Sequence, residues 1–372
     1  MTRPSLLPNN ATPFEDALSL AGDMIPRTRN EIDSMRGIKL VNTPPSLLPF
    51  LIYEYGLQEL TPYVPNLYAL IREGIAWQRV RGTPAAMALG LSWINYEAAI
   101  EEAPVRRRRW HLFQLHLDRV RDEETPDLER IEGIAGLSPC LRSVFYRGFH
   151  GYDVRAHEYG YSTWSRSIYS ADSGARLRPG GTKWSFGRSY DFDLALSQAD
   201  LVTLGVWVEP GEEGDALGWA DITWADAGSS WTSSAAQARR RAMCAGMLDR
   251  PVWLELKDGD GLVIGYRRAR AACGVVANFS GPYSVNGLHY APIELAEIVY
   301  LEFLTGFGDG ADRVATSARL VFDAEPIDPA KPGLPWASAA ELAGGSPGVA
   351  QQAIEIKLGK TVRERFRFIL RF

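Results

Sequence analysis

Apolar residues in the first hundred positions recur at helical spacing. Leu67, Leu70, Ile71, Gly74 and Ile75 line one face of a helix from about Asn66 to Arg81, with Arg72, Glu73 and Arg79 off that stripe. Tyr68, Trp77 and Val80 also lie outside it, so this helix is apolar on more than one side and is expected to pack on more than one neighbour. Upstream, Thr12-Pro13-Phe14-Glu15 reads as a capping box with proline at the first helical position. Ala17, Leu18 and Ala21 continue its stripe, and Pro26 should end or bend the helix. Another helix is expected from Ser46 through Tyr55, with Pro49 tolerated in its first turn. Gly82 stops the helix at 66–81. Thr83 should cap the next one, which starts at Pro84 and buries Met87, Leu91 and Ile94.

After Pro104 the period changes. Phe113, Leu115 and Leu117 alternate with Gln114 and His116, which predicts a strand. Pro126 to Ala135 reads as a short helix, and Leu141 to Phe149 as a strand returning beside the first. From about 155 to 330, short strands are separated by glycine turns, with one helix at Ala235 to Leu248. Val252–Leu256 and Leu262–Tyr266, joined by Lys257-Asp258-Gly259-Asp260-Gly261, read as a hairpin. Pro326 to Pro347 is rich in Pro, Gly, Ala and Ser and reads as a linker. The chain ends on two alternating segments around Gly359-Lys360. Ile354, Ile356, Leu358, Phe366, Phe368 and Leu370 share one face, and Arg363, Arg365 and Arg367 the other. This predicts a terminal hairpin that docks on a neighbouring subunit or a distant part of its own chain. The plainer alternative is that it completes the sheet of the preceding domain.

The fold class is therefore α+β: a helical N-terminal domain with a small strand–helix–strand unit, then a β-rich region ending in a β-hairpin. The expected divisions are 1–104 (helical), 105–155 (strand–helix–strand), 156–325 (β-rich), 326–348 (linker) and 349–372 (hairpin).

Composition adds limits. At 372 residues, with 46% hydrophobic and 23% charged residues, the chain is an ordinary globular sequence of two or three domains. A net charge of −5 argues against a surface built to wrap nucleic acid. Cys140, Cys244 and Cys273 form neither a C-x-x-C motif nor a disulfide framework, as expected of a protein made in a reducing cytosol. No apolar run approaches the ~20 residues that span a bilayer. Neither a nucleophile elbow nor a phosphate loop is visible. His111 and His116 should point to opposite faces of a strand, and His150 and His157 should flank Asp153 and Glu158 in a surface loop. The sequence therefore points to no catalytic residue, cofactor or metal. Arg106-Arg107-Arg108-Arg109 is the sharpest charge run and is read as a protein contact. Trp219, Trp224 and Trp231, in a polar stretch, are the tryptophans expected to be exposed.

Three segments occur in a telling order: Ser5-Leu6-Leu7-Pro8-Asn9-Asn10-Ala11-Thr12-Pro13, then Leu47-Leu48-Pro49-Phe50-Leu51, then Arg81-Gly82-Thr83-Pro84-Ala85-Ala86. This resembles the tail protein I family of contractile-tailed phages, whose members carry L-L-P-x-N-A-T-P, L-L-P-W-L-A-W and K-G-T-P-x-A in that order. Phe50 and Tyr53 stand where the family usually has tryptophans, Gln58-Glu59-Leu60-Thr61-Pro62 replaces an acidic tryptophan-bearing stretch, and Arg81 replaces the usual lysine. The resemblance covers about residues 1 to 150.

It implies a baseplate wedge subunit: a virion component made in the host cytoplasm and assembled in several copies with other wedge proteins around the tail tube. Support of tail-fibre attachment, and contact with tail-fibre or tube- and sheath-proximal proteins, are further expectations of the resemblance. No enzyme activity and no nucleic-acid partner are expected. The alternative is a tail-associated adhesin or a glycan-binding or hydrolysing protein acting through the Trp-rich C-terminal region. The residues expected at a partner interface are Leu67, Tyr68, Ile71, Ile75 and Trp77, the arginines 106–109, and Phe366 and Phe368.

Overall fold

The structure, a computed structural model, describes residues 7–8, 10–37, 43–102, 110–153, 155–156, 167–168, 172–210 and 235–372. The chain divides into two units: Met1–Asn95 with Ser138–Cys140, and Tyr96–Leu137 with Leu141–Phe372.

The first unit is helical: α1 (Pro13–Ala21), α2 (Ile25–Gly37), α3 (Leu48–Glu54), α4 (Leu67–Val80) and α5 (Pro84–Ser92). The capping box forms as the sequence predicts. The Thr12 hydroxyl accepts from the Glu15 amide, and the Glu15 carboxylate accepts from the Thr12 amide at 2.7 Å. Pro26 neither ends nor bends α1, which stops earlier at Ala21 with Gly22 as its C-cap; the proline falls instead in the first turn of α2. The Asn66 side chain accepts from the amides of Tyr68 and Ala69 and so starts α4. Thr83 occupies the N-cap position of α5 but does not cap it. The turn at Gly82, with φ at 88°, folds Thr83 back under the end of α4, and its hydroxyl donates to the Val80 carbonyl at 2.6 Å. Leu48, Leu51, Leu57, Leu70, Ile71, Trp77, Met87 and Leu91 are among the buried residues of this unit.

The second unit begins with β1 (Ala98–Glu102), β2 (Leu112–Leu117), α6 (Asp127–Leu137), β3 (Val144–Gly151), β4 (Arg155–Ala156), β5 (Ser167–Ile168), β6 (Ala175–Arg176), β7 (Lys183–Ala195) and α7 (Gln198–Thr203). Then come α8 (Ala235–Leu248), β8 (Val252–Lys257), β9 (Val263–Arg268), β10 (Ala271–Ala277), β11 (Tyr283–Val285), β12 (Leu288–Pro292) and β13 (Ile298–Leu304). The last strands are β14 (Val314–Phe322), β15 (Ala324–Pro326), β16 (Trp336–Ala337), β17 (Leu342–Gly344), β18 (Val349–Lys357) and β19 (Val362–Arg371). Among the described residues, the larger sheet runs β1-β2-β3-β7-β19-β13-β10-β12-β11 with β6 beside β7, and the smaller one β16-β9-β8-β14-β18. Apolar faces of the two sheets meet in one core that includes Leu254, Leu256, Phe303, Phe322, Phe366 and Phe368. The expected hairpin of β8 and β9 forms, with Asp258 accepting from the Asp260 and Leu262 amides in its turn. β3 does return beside β2, in parallel.

The terminal hairpin does not form. Both strands exist, with the predicted alternation, but they lie in different sheets. β18 pairs with β14, while β19 runs parallel to β7 and antiparallel to β13. The chain crosses from one sheet to the other through residues 358–361. There Leu358 donates to the Arg313 carbonyl at 2.9 Å and Thr361 to Glu124 Oε1 at 2.9 Å. Ile356 and Phe366 therefore approach one core from opposite sheets instead of sharing one face of a hairpin. Residues 326–348 are not a free linker either. β15 pairs with β17, β16 pairs with β9, and Ala337 is fully buried.

β19 also carries a charge inward. Glu364 is buried, with the Arg188 guanidinium 3.9 Å from its carboxylate and the Tyr190 hydroxyl as a further polar neighbour. Burial pushes its carboxyl up to about 7, against the opposing pull of the Arg188 and Arg121 charges.

Two expectations follow from this strand. Deleting residues 362–372 removes the strand joining β7 to β13 and the phenylalanines at the centre of the core. The truncated chain should lose the cooperative unfolding transition of its second unit, measured by urea denaturation. The second concerns pH. Because folding raises the Glu364 pKa, the penalty of ionising it is absent below about 4.5, grows as pH rises, and is complete above about 7. Glu364→Gln should therefore stabilise the protein at pH 8 relative to pH 4.5, by something on the order of 3 kcal/mol compared with the native chain. Equal effects at both pH values would contradict this.

Candidate assembly surface

The helical unit leaves much apolar surface uncovered. α1 has no buried residue, and Phe14 is 74% exposed with Leu18 and Leu20 also open. Phe14 and Leu18 are one turn apart on the same side of that helix. On α3, Leu48, Leu51 and Ile52 are buried, while Phe50 and Tyr53, one turn apart, are 70% and 77% exposed. Tyr68 on α4 is half exposed, with its hydroxyl donating to the Thr43 carbonyl at 2.9 Å.

The residues expected at an interface from the sequence divide differently. Leu67 and Ile75 are half-buried, and Ile71 is buried. Trp77 is buried too, its ring 6.4 Å from that of Trp93, with Nε1 donating to Ser138 Oγ at 3.4 Å and Arg81 over its face. It is packed inside its own unit and offers no surface there. Of Tyr68, Trp77 and Val80, the three outside the apolar stripe, Tyr68 is open to solvent and Val80 is half-buried. Phe366 and Phe368 are completely buried between the two sheets of their own chain and cannot meet a partner while the fold is intact. Arg106 to Arg109 lie outside the described residues, as do His157, Trp219, Trp224 and Trp231. The remaining described tryptophans of the C-terminal region are buried (Trp184, Trp253) or half-buried (Trp207, Trp336) and form no open aromatic platform. Phe14, Leu18, Phe50 and Tyr53 were not singled out for exposure. The signal was present at 48–54, where apolar residues surround the helix and one side must stay uncovered if only the other finds a core.

Among the described residues no group of three or more His, Cys, Asp or Glu could hold a metal ion. His111 precedes β2, so the opposite-faces argument from strand geometry does not apply to it. His116 stacks on Phe149 at 4.8 Å, and the His150 Nδ1 lies 2.7 Å from the Leu117 carbonyl. The densest polar cluster is centred on Arg147, which is fully buried and paired with Asp153. Ser173 and Ser185 donate to Asp153 Oδ1, each at 2.8 Å. Burial pushes the Asp153 carboxyl up, but the Arg147 charge and the hydrogen bonds from Arg147, Ser173 and Ser185 together hold it below its ordinary value. An ionised carboxylate with its acceptor oxygen already occupied by hydroxyls and a guanidinium ties β3 to β7 and is poorly placed as a base.

Residues 7–136 match the family described as phage tail protein (Tail_P2_I). The match lies within the span over which the sequence resembles tail protein I, and it supports a structural role in a phage tail with other tail proteins as partners. No curated protein matches the chain. No described helix is long and apolar enough to cross a membrane.

The exposed and buried aromatics should respond differently to substitution. Phe14→Ser and Tyr53→Ser should change unfolding free energy by no more than about 0.5 kcal/mol, whereas Trp77→Ala should cost about 3–5 kcal/mol. Urea denaturation followed by circular dichroism checks both. The two serine variants should also bind less of an apolar dye than the native chain.

Proposed function

We propose that this protein is a structural subunit of a phage tail baseplate wedge, working by assembly and not by catalysis. The observation that carries the reading is the combination of a phage tail segment at residues 7–136 with large apolar side chains left open on the same stretch. Phe14, Leu18, Phe50 and Tyr53 have the character of interface anchors, since aromatic residues dominate binding energy when a partner encloses them. Phe50 and Tyr53 also occupy positions where the tail protein I family usually has tryptophans, so the aromatic character there is retained with smaller or more polar rings. In this reading the partner is another wedge protein that packs helices against α1 and α3, several copies of the assembly surround the tail tube, and the sheet-rich unit is the rigid body that the contacts hold in place.

The test is complementation of a phage lacking this gene with Phe50→Ser/Tyr53→Ser. If the pair is an interface anchor, the variant folds but enters tails at a level reduced about tenfold or more, the loss of one or two hot-spot contacts. Imaging of native particles should then place the chain at the tail's baseplate end. Normal incorporation of the variant, or density elsewhere in the particle, would overturn the proposal.

A further inference from the structure

One arginine of β19 lacks an anion. Arg363 donates no hydrogen bond and lies in no ion pair among the described residues, although its Nε and Nη2 are shut off from water. Such atoms are rare in folded proteins, because a desolvated donor without an acceptor costs free energy. The third nitrogen, Nη1, also has no acceptor but stays within reach of solvent. The guanidinium lies over two rings, 4.6 Å from the centre of Phe307 and 5.6 Å from that of Tyr152. Tyr152 is brought there by Gly187, the residue of β7 that pairs with Arg363. A Cβ on Gly187 would lie 2.3 Å from the Tyr152 carbonyl oxygen, so only glycine lets the chain cross at this point.

Other guanidiniums converge on the same ring. Arg365, two residues along and on the same face of β19, has its guanidinium 4.8 Å from the Tyr152 ring centre. Arg270 Nη1 donates to the Tyr152 hydroxyl at 3.0 Å. One carboxylate serves both: Glu302 accepts from Arg365 Nη2 at 2.8 Å and lies 3.9 Å from Arg270 Nη1. The next acid, Asp153, is committed to Arg147, Ser173 and Ser185. Among the described residues, Arg270, Arg363 and Arg365 therefore share a single carboxylate and carry an excess of two positive charges. Burial pushes the Arg363 pKa down, as do the Arg270 and Arg147 charges, against the opposing pull of Tyr152 and Asp153. A guanidinium does not shed its proton in a protein, so the shortage can be met only by an anion.

We propose that Arg363, with Arg270, Arg365 and the Tyr152 hydroxyl, binds a phosphate group, either the free ion or the terminal monoester of a larger molecule. The charge favours phosphate over a carboxylate. A phosphate monoester carries about two negative charges near neutral pH and three acceptor oxygens, whereas a carboxylate offsets only half of the excess. The donors agree with this. Arg363 Nη1 and the exposed Arg270 are open to water, and the Tyr152 hydroxyl, which accepts from Arg270, keeps its own hydrogen to donate. The site is built wholly from the second unit and does not depend on the tail role proposed above.

Calorimetric titration of inorganic phosphate into the full-length protein tests this, at constant ionic strength and about pH 7.5, where phosphate is mostly dianionic. One-site binding with a Kd of about 1 mM or tighter is expected, with acetate at least about tenfold weaker. Arg363→Gln should fold, because its loss orphans no carboxylate, and should weaken phosphate binding about tenfold or more. Arg363→Lys keeps the charge but not the planar fork, and should fall between the two. Glycerol phosphate separates the sources: binding tighter than the free ion marks the monoester of a larger molecule, and weaker binding marks the free ion. No saturable phosphate binding, acetate held as tightly, or native affinity in a folded Arg363→Gln would overturn the proposal. Should Arg363→Gln misfold, a crystal structure of the native protein soaked in phosphate decides. An ion within hydrogen-bond distance of Arg363 Nη1 supports the site, and an ion found only elsewhere overturns it.

Discussion

The second unit depends on where β19 lies. It is the last strand in the chain, yet it is the one that joins the β1-β2-β3-β7 half of the larger sheet to the β13-β10-β12-β11 half. Its pairing with β7 is parallel and with β13 antiparallel, so both halves are held through one ladder on each side. Phe366, Phe368 and Leu370 fill the core from this strand, with Tyr190 and Phe192 stacked on the first two at 5.3 and 4.7 Å. On the opposite face, Arg367 and Arg371 pair with Asp191 and Asp193 of β7, and Arg365 with Glu302 of β13. Contacts so distant in sequence carry a large loop-closure cost before they return any stabilisation, which favours late and cooperative closure of the sheet.

The turn leading into β19 shows how this closure is fixed at one end. Glu124 Oε1 receives hydrogen bonds from Arg121 Nη2 at 2.7 Å, from the Thr361 amide at 2.9 Å and from its hydroxyl at 3.0 Å. Arg121 is almost fully buried and also donates to Thr361 Oγ1. A buried guanidinium–carboxylate pair adds little net stability over apolar packing, but it specifies geometry, because either charge left alone would be costly. The stretch that matches the phage tail family, which contains Arg121 and Glu124, is thereby tied to the end of the chain, which lies outside the match. The family segment and the C-terminal strands are not independent modules in the second unit.

Much of the local structure was legible in the sequence because it is set locally. The box at Thr12 and Glu15, the stripe from Leu67 to Ile75, the helix at Ala235–Leu248 and the turn at Asp258–Gly261 each follow from a few neighbouring residues. Pairing was not legible. Alternation at Ile354–Ile356 and Phe366–Leu370 tells which side chains share a face, but not which strand lies alongside, and a short turn at Gly359-Lys360 suggested the nearest neighbour. The actual partners of β19 begin at Lys183 and Ile298, which no local pattern could reveal. Trp77 failed for the same reason. Its place outside the helical stripe suggested a contact with a partner, but Trp93 and Ser138 of its own unit pack against it. Of the expected interface, Tyr68 is exposed while Phe366 and Phe368 are core, because apolarity alone does not separate a core face from a contact face.

The two units therefore spend their apolar residues differently. In the second, the large side chains of β7, β13 and β19 are enclosed by a second sheet, and charges left inside, such as Glu302 and Glu364, lie beside arginines. In the first, Phe14, Leu18, Phe50 and Tyr53 remain in water while shorter helices enclose a small core. Burying each such side chain is worth about 1.5–3 kcal/mol, and that gain is unrealised in the isolated chain. A partner that covers several of them would bring stabilisation comparable to the whole folding free energy of a small domain. The helical unit would then reach its full stability only within the assembly, whereas the sheet-rich unit, closed by its own C-terminal strand, acquires its core from the chain itself. A subunit arranged in this way can fold one part before assembly and let assembly complete the other.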